Sequence, residues 1–239
     1  MLQRLISALV LITLTTLSAA GDPPDCELNG VTGNIECVDS TFKASTWDIR
    51  WAVDVPGGLP LDSEMVTDTA ETESEPRLSI RNDGHRAVTW TRETAVAAVM
   101  FRSRPHPAGG WADEKQVSAN GEDSADPEIT SDGSKYWIAY TFDAGGGEKG
   151  IAVNGIDDSP DPIPQRFLIT TTGYAGDVDV QVQYTEGHLW VSWVHDSQDV
   201  GWVEYDYASE TWSTVGYEST AVDSVKEARA RILAQLIAS

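Results

Sequence analysis

Apolar and polar residues alternate along most of the chain in short runs bounded by Gly, Asn, Asp and Pro. That is the pattern of β-strands which bury one face. The clearest run of four spans Arg77 to Ser118. Arg77 to Arg81 is a short alternating strand, and Asn82-Asp83-Gly84 is a hairpin signal. Arg86 to Arg92 is β-branched and aromatic, Val96 to Arg102 is a third strand, and Trp111 to Ser118 is a fourth. The order then recurs. Glu128 to Thr130 leads through Ser131-Asp132-Gly133 into Lys135 to Phe142, then Gly150 to Asn154 and Phe167 to Thr170. A last set runs Asp179 to Tyr184, Leu189 to His195, Gly201 to Tyr207 and Thr211 to Val215. Upstream, Trp47 to Val53 and Leu61 to Thr67 read as the outer strands of a first, partial set. The second strands are apolar on both sides (Val88 and Trp90, Trp137 to Phe142, Leu189 to Val194), which predicts burial on both faces.

These sets keep a step of 51 residues. An acidic residue precedes each first strand, at Glu75, Asp126 and Asp177. Ile49, Met100, Ile151 and Trp202 form an apolar column at the same step, and Val66, Val117 and Leu168 another. A period near 50 built of short alternating strands signifies stacked sheet units such as propeller blades. The predicted fold is all-β: a β-propeller-like stack of about three to four four-stranded antiparallel blades, closed by a C-terminal α-helix. The expected divisions are 1–20, 21–45, 46–220 (as 46–75, 76–126, 127–177 and 178–220) and 221–239. In the last of these Val222, Val225, Ile232, Leu233, Leu236 and Ile237 follow helical spacing, with Lys226, Glu227, Arg229 and Arg231 between them. The ring is expected to be four-bladed, open, or completed by a second chain as a homodimer.

Arg4, the apolar stretch Leu5 to Leu17 and the small residues Ser18-Ala19-Ala20 have the form of an export signal. A secreted or periplasmic protein follows, with no stable membrane insertion after cleavage. Cys26 and Cys37 then pair most simply with each other. The net charge of −22 argues against nucleic acid and anionic membranes as partners, because the whole field repels phosphate.

Pro127-Glu128-Ile129, the Asp132-Gly133 turn and the strand Tyr136-Trp137-Ile138-Ala139-Tyr140 carry a family resemblance, as does a late Trp after a polar loop in Gly109-Gly110-Trp111 and Ser209-Glu210-Thr211-Trp212. On these residues the chain resembles the sialidase-like (Asp-box, BNR-repeat) β-propeller proteins over about residues 46–220. Residues 102–111 lack the Asp of that family's box, and residues 205–212 lack its Gly. The resemblance implies a propeller. It transfers no catalytic residue, since Arg77, Arg81 and Arg86 do not match the family's arginine motif.

Converging carboxylates repel unless a cation lies between them. Glu75, Asp126, Asp177 and Asp179 are therefore the candidate metal ligands, with calcium the expected ion. The alternative is that acidic residues simply suit the turn before a strand. His85 and His188 occupy matching hairpin tips and read as surface turns. Gly145-Gly146-Gly147-Glu148-Lys149-Gly150 fits a dinucleotide fingerprint in letters alone, because a strand rather than a helix follows it. His195-Asp196-Ser197 holds the residue types of a hydrolase triad, but triad members meet from separate segments. The first expectation is a secreted, non-catalytic binding module for a protein, glycan or cation. A sialidase-like glycoside hydrolase and a structural fragment of a larger surface assembly are the alternatives.

Overall fold

A computed structural model describes residues 24–43, 46–54, 62–106, 109–157, 165–174, 178–185, 187–195 and 199–219. The predicted export signal, Asp177, Asp196-Ser197 and the predicted C-terminal helix lie outside the described residues. The described residues contain no helix.

Among the described residues the strands form four antiparallel sheets. The first contains β1 (Asp25–Leu28), β2 (Ile35–Lys43), β3 (Thr46–Asp54) and β4 (Asp62–Met65). In the second are β5 (Thr72–Ile80), β6 (Arg86–Glu93), β7 (Ala98–Arg104) and β8 (Lys115–Gln116). The third has β9 (Ser124–Ser131), β10 (Lys135–Gly145), β11 (Glu148–Asp157) and β12 (Gln165–Tyr174). The fourth has β13 (Val178–Thr185), β14 (His188–His195), β15 (Asp199–Asp206) and β16 (Thr211–Trp212), with β17 (Gly216–Ser219) also paired to β15. Apart from β17, strands are hydrogen-bonded in chain order, so each sheet is built on an up-and-down meander. β1 and β2 arise from the 21–45 segment and complete the first sheet.

The chain divides into two compact units after Asn120. Unit 1 holds the first two sheets. Val38, Ile49, Trp51 and Val53 of the first sheet pack against Leu78, Val88, Trp90 and Met100 of the second. Unit 2 holds the last two sheets. Trp137, Ala139, Ile151 and Val153 of the third sheet pack against Val180, Leu189, Val191, Trp193, Val203 and Tyr205 of the fourth. In β10 every residue from Tyr136 to Phe142 is buried, as the unbroken apolar run predicted.

The 51-residue columns need local correction. Thr67 Oγ1, Ser118 Oγ and Thr170 Oγ1 each accept the backbone N–H of the facing strand, from Ile49, Val99 and Ile151. Val99, not Met100, is thus the counterpart of Ile49. Val66 and Val117 are buried, but Leu168 is 49% exposed and Ile169 packs on the core instead. Register shifts on either side of Ile151 in the β11–β12 ladder move the third sheet out of step.

The cysteines form the predicted disulfide, Cys26–Cys37, with Cα atoms 4.1 Å apart. It joins β1 to β2 at a directly opposed pair.

Candidate functional site

The acidic column is a structural repeat, but not where the sequence pattern puts it. The acids lie inside the first strands rather than before them. In the β5–β6 ladder the pairing passes from Ser74↔Thr91 to Arg77↔Thr89, so Glu75 and Pro76 together face Trp90. In β9–β10 it passes from Ala125↔Thr141 to Glu128↔Ala139, so Asp126 and Pro127 face Tyr140. In β13–β14 it passes from Val178↔Val194 to Gln181↔Ser192, so Asp179 and Val180 face Trp193. Two residues against one is a β-bulge, and proline is at home there because the bulge releases a ladder N–H.

Glu75, Asp126 and Asp179 all adopt left-handed backbone, with φ of 54°, 53° and 53°. Side chains of L-residues resist that region, aspartate least and glutamate more. Holding three such residues costs roughly 1–3 kcal/mol each, a strain that recurs at ligand clamps and active sites. The third member is Asp179, two positions beyond Asp177. The aromatic residues opposite, Trp90, Tyr140 and Trp193, are completely buried.

Two of the carboxylates are oriented by threonine. Thr91 Oγ1 donates to Glu75 Oε2 at 2.8 Å, and Thr141 Oγ1 lies 3.1 Å from Asp126 Oδ2. Val194 takes that position in the fourth sheet. Asp126 and Asp179 belong to the same unit, on β9 and β13, which pack against each other. Glu75 belongs to the other unit. Among the described residues no group of three or more His, Cys, Asp and Glu side chains is disposed to hold a metal ion.

The remaining sequence candidates do not converge. His85 Nδ1 lies 3.0 Å from Asp83 Oδ2, within its own hairpin. His188 Nδ1 lies 2.5 Å from Glu204 Oε1, and its ring stacks on Trp190. The glycines of the apparent dinucleotide fingerprint turn β10 into β11, with positive φ at Gly145, Gly146 and Gly147. The His195 ring packs 4.8 Å from the ring of Tyr217. Arg86 is committed to Glu36, and Arg81 pairs with Asp83 at 2.9 Å. A sialidase-like nucleophile would need an activated tyrosine. Tyr140 lies near Arg166 and Glu122, but burial pushes its hydroxyl up to about 12, the reverse of activation.

The carboxyls held above their ordinary range also have structural tasks. Burial pushes Glu27 up to about 7 although its Oε2 accepts the N–H of Ile80, and burial raises Asp25 although its Oδ2 accepts the N–H of Leu78. Burial likewise raises Glu73 to about 7 beside Arg92. The first two cap the edge of β5; the third is part of an ion-pair network. No local pattern announces this capping, because the partners lie 53 residues apart.

No protein-family model matches the chain, and no curated protein does. Solved structures do resemble it. An endo-arabinase from Bacteroides thetaiotaomicron superposes with TM-score 0.54 at 13% identity, over 86% of this chain and 83% of that one. A protein of unknown function from Dyadobacter fermentans gives 0.54 at 10% identity, over 73% of this chain and 50% of that one. An exo-β-1,3-galactanase from Phanerochaete chrysosporium gives 0.52 at 12% identity, over 84% and 50%. The chain thus spans half the length of two of these neighbours. At such identity the likeness concerns the fold alone, and the fold is of the β-propeller type. It does not single out the sialidase-like proteins among propellers.

Proposed function

We propose that this protein is an exported, glycan-directed binding module of the propeller type, whose bulge carboxylates contact sugar hydroxyls. The observation that supports this reading most is the recurrence of a strained carboxylate at the same bulge of three sheets. A carboxylate accepts hydrogen bonds from two neighbouring hydroxyls, and a fixed backbone holds it ready to do so. The Cys26–Cys37 disulfide fits an oxidising compartment. No helix among the described residues is long and apolar enough to cross a membrane.

A binding role is favoured over hydrolysis for a chemical reason. Glycoside hydrolysis pairs a carboxylate with a carboxyl kept protonated near neutral pH. Among the described residues the carboxyls that burial raises, Asp25, Glu27 and Glu73, are engaged by the edge of β5 or by Arg92. Hydrolysis remains the second reading because Asp126 and Asp179 stand at equivalent bulges of neighbouring strands in one unit.

Affinity electrophoresis in arabinan and in β-1,3-galactan, with reducing-sugar release measured in parallel, tests both readings. Retardation without sugar release is expected, weakened in Asp126→Asn and Asp179→Asn. Sugar release that those variants abolish would replace the binding reading with the hydrolase reading. Absence of both retardation and release would overturn both.

A further inference from the structure

Cross-strand rows reveal a second surface. One row, on equivalent positions of each sheet, reads Asp25–Val38–Trp51, Arg77–Thr89–Phe101, Glu128–Ala139–Val153 and Gln181–Ser192–Trp202. In the first three sheets its last member is closed off, with Trp51 3%, Phe101 3% and Val153 0% exposed. Trp202 is half-buried. The first members differ as well. Asp25, and Glu27 two residues on, grip the backbone N–H groups of the strand that packs against them. Their counterparts Gln181 and Gln183 are exposed neutral amides.

The adjoining row of the fourth sheet is Gln183–Trp190–Glu204, with His188 beyond it. The His188 ring stacks on Trp190 at 5.9 Å, and Trp190 meets Trp202 at 5.9 Å. Trp202 is fixed in orientation. Gly216 lies directly opposite it, and a Cβ there would fall 2.4 Å from the indole. The indole therefore lies close against the β17 backbone, in space that any side chain at position 216 would claim.

We propose that the accessible part of this face of the fourth sheet, formed by Gln181, Gln183, Ser192 and Trp202 opposite the unit 2 core, is a second glycan-binding platform, for neutral polysaccharide. The inference rests on the glycan-directed reading above but uses a different site. A sugar ring presents axial C–H groups to an aromatic face and hydroxyls at its rim. Trp202 supplies the face; Gln181, Gln183 and Ser192 supply donors and acceptors at strand spacing, about 7 Å between alternate residues. The one carboxylate in these rows, Glu204, is already engaged by His188, so little charge opposes a neutral ligand. Polyanions are disfavoured by the net charge of −22. An apolar sheet or helix is the poorer occupant, because it would bury both glutamine amides and the His188–Glu204 pair away from water.

Gln181→Ala/Gln183→Ala changes exposed side chains and leaves the fold intact; Trp202→Phe keeps an aromatic ring on Gly216. Both are compared with wild type by calorimetric titration with arabinan and β-1,3-galactan oligosaccharides, using indole fluorescence as the second signal. The expected result is a Kd about tenfold higher in the double variant, from two lost amide contacts. A fluorescence change on binding should also disappear in Trp202→Phe. Unchanged affinity in both variants, with loss in Asp126→Asn, would overturn the platform and leave the glycan function standing. Wild type that binds neither glycan would overturn the function and the platform together. A doubled mass in light scattering that Trp202→Phe restores to monomer would show a second copy on this face and overturn the platform.

Discussion

The two units carry the same strand pattern and hold it together by different chemistry. Unit 1 is tied by charge. Glu36 is fully buried and accepts from both Nε and Nη2 of Arg86, from Trp51 Nε1 at 2.9 Å and from Asn29 Nδ2 at 2.6 Å. Arg92 bridges Glu73 and Glu114, and the Arg104 guanidinium lies over both Trp51 and Trp111. Unit 2 is tied by rings. Trp137, Phe167, Tyr205 and Trp212 form one cluster with centroid separations of 4.9–6.3 Å. Its large rings are seated on glycines directly across the ladder, Trp137 on Gly155, Phe142 on Gly150 and Trp193 on Gly201. The exchange is visible at one position: the Glu73↔Arg92 pair of the second sheet becomes Ser124↔Phe142 in the third. The lesson is that one strand scaffold tolerates either solution, provided the buried charges in the first are paired and the rings in the second have room.

The sharpest way to break that contrast is Glu36→Ala. It strands Arg86 in a buried site, and unit 1 should lose about 3–5 kcal/mol in urea unfolding. A loss below about 1 kcal/mol would mean that Arg86 turns out to water and that charge does not hold this unit. Replacing Cys26 and Cys37 with serine should cost unit 1 about 2–3 kcal/mol, by lengthening the unfolded chain's reach. Reduction of the wild-type protein should reproduce that effect in the same assay. On the other side, Gly201→Ala would place a Cβ 2.3 Å from the Trp193 ring. A destabilisation of about 1–3 kcal/mol is expected from overpacking, whereas Gly30→Ala, with nothing within 4 Å, should be near neutral. Equal effects of the two would remove the glycine seats from the account of unit 2.

The smallest effect is pH dependence, and its sign differs between units. Glu27 and Glu73, both raised to about 7, hold protons in the fold that the unfolded chain has released. Stability of unit 1 should therefore fall as pH rises from the ordinary carboxylate range to about 7. Glu27→Gln keeps an acceptor for Ile80 and should flatten that slope; a slope identical to wild type would show that Glu27 does not set it. In unit 2 Asp132 works the other way. Burial opposes its charge, but hydrogen bonds from Trp137 Nε1, the Lys135 N–H and Ser134 hold it below 3.8. Its contribution is present above that value and is lost as pH falls through its lower folded value.

The strand content, the hairpin at Asn82-Asp83-Gly84, the repeat near 51 and the cysteine pair were legible in the sequence alone. Each depends on neighbours a few residues away or on simple alternation. The candidate site was half legible. Glu75 and Asp126 do recur at one structural position, but inside the first strands rather than before them, and the third bulge acid is Asp179. A bulge inserts one residue into a period of two, so its place is set by the pairing with β14, which no local pattern encodes. The same reason hid the cross-strand rows. That Asp25 and Glu27 grip β5, and that Gln181, Gln183 and Trp202 share one face, follows from which strands lie side by side, a matter that only the tertiary structure decided.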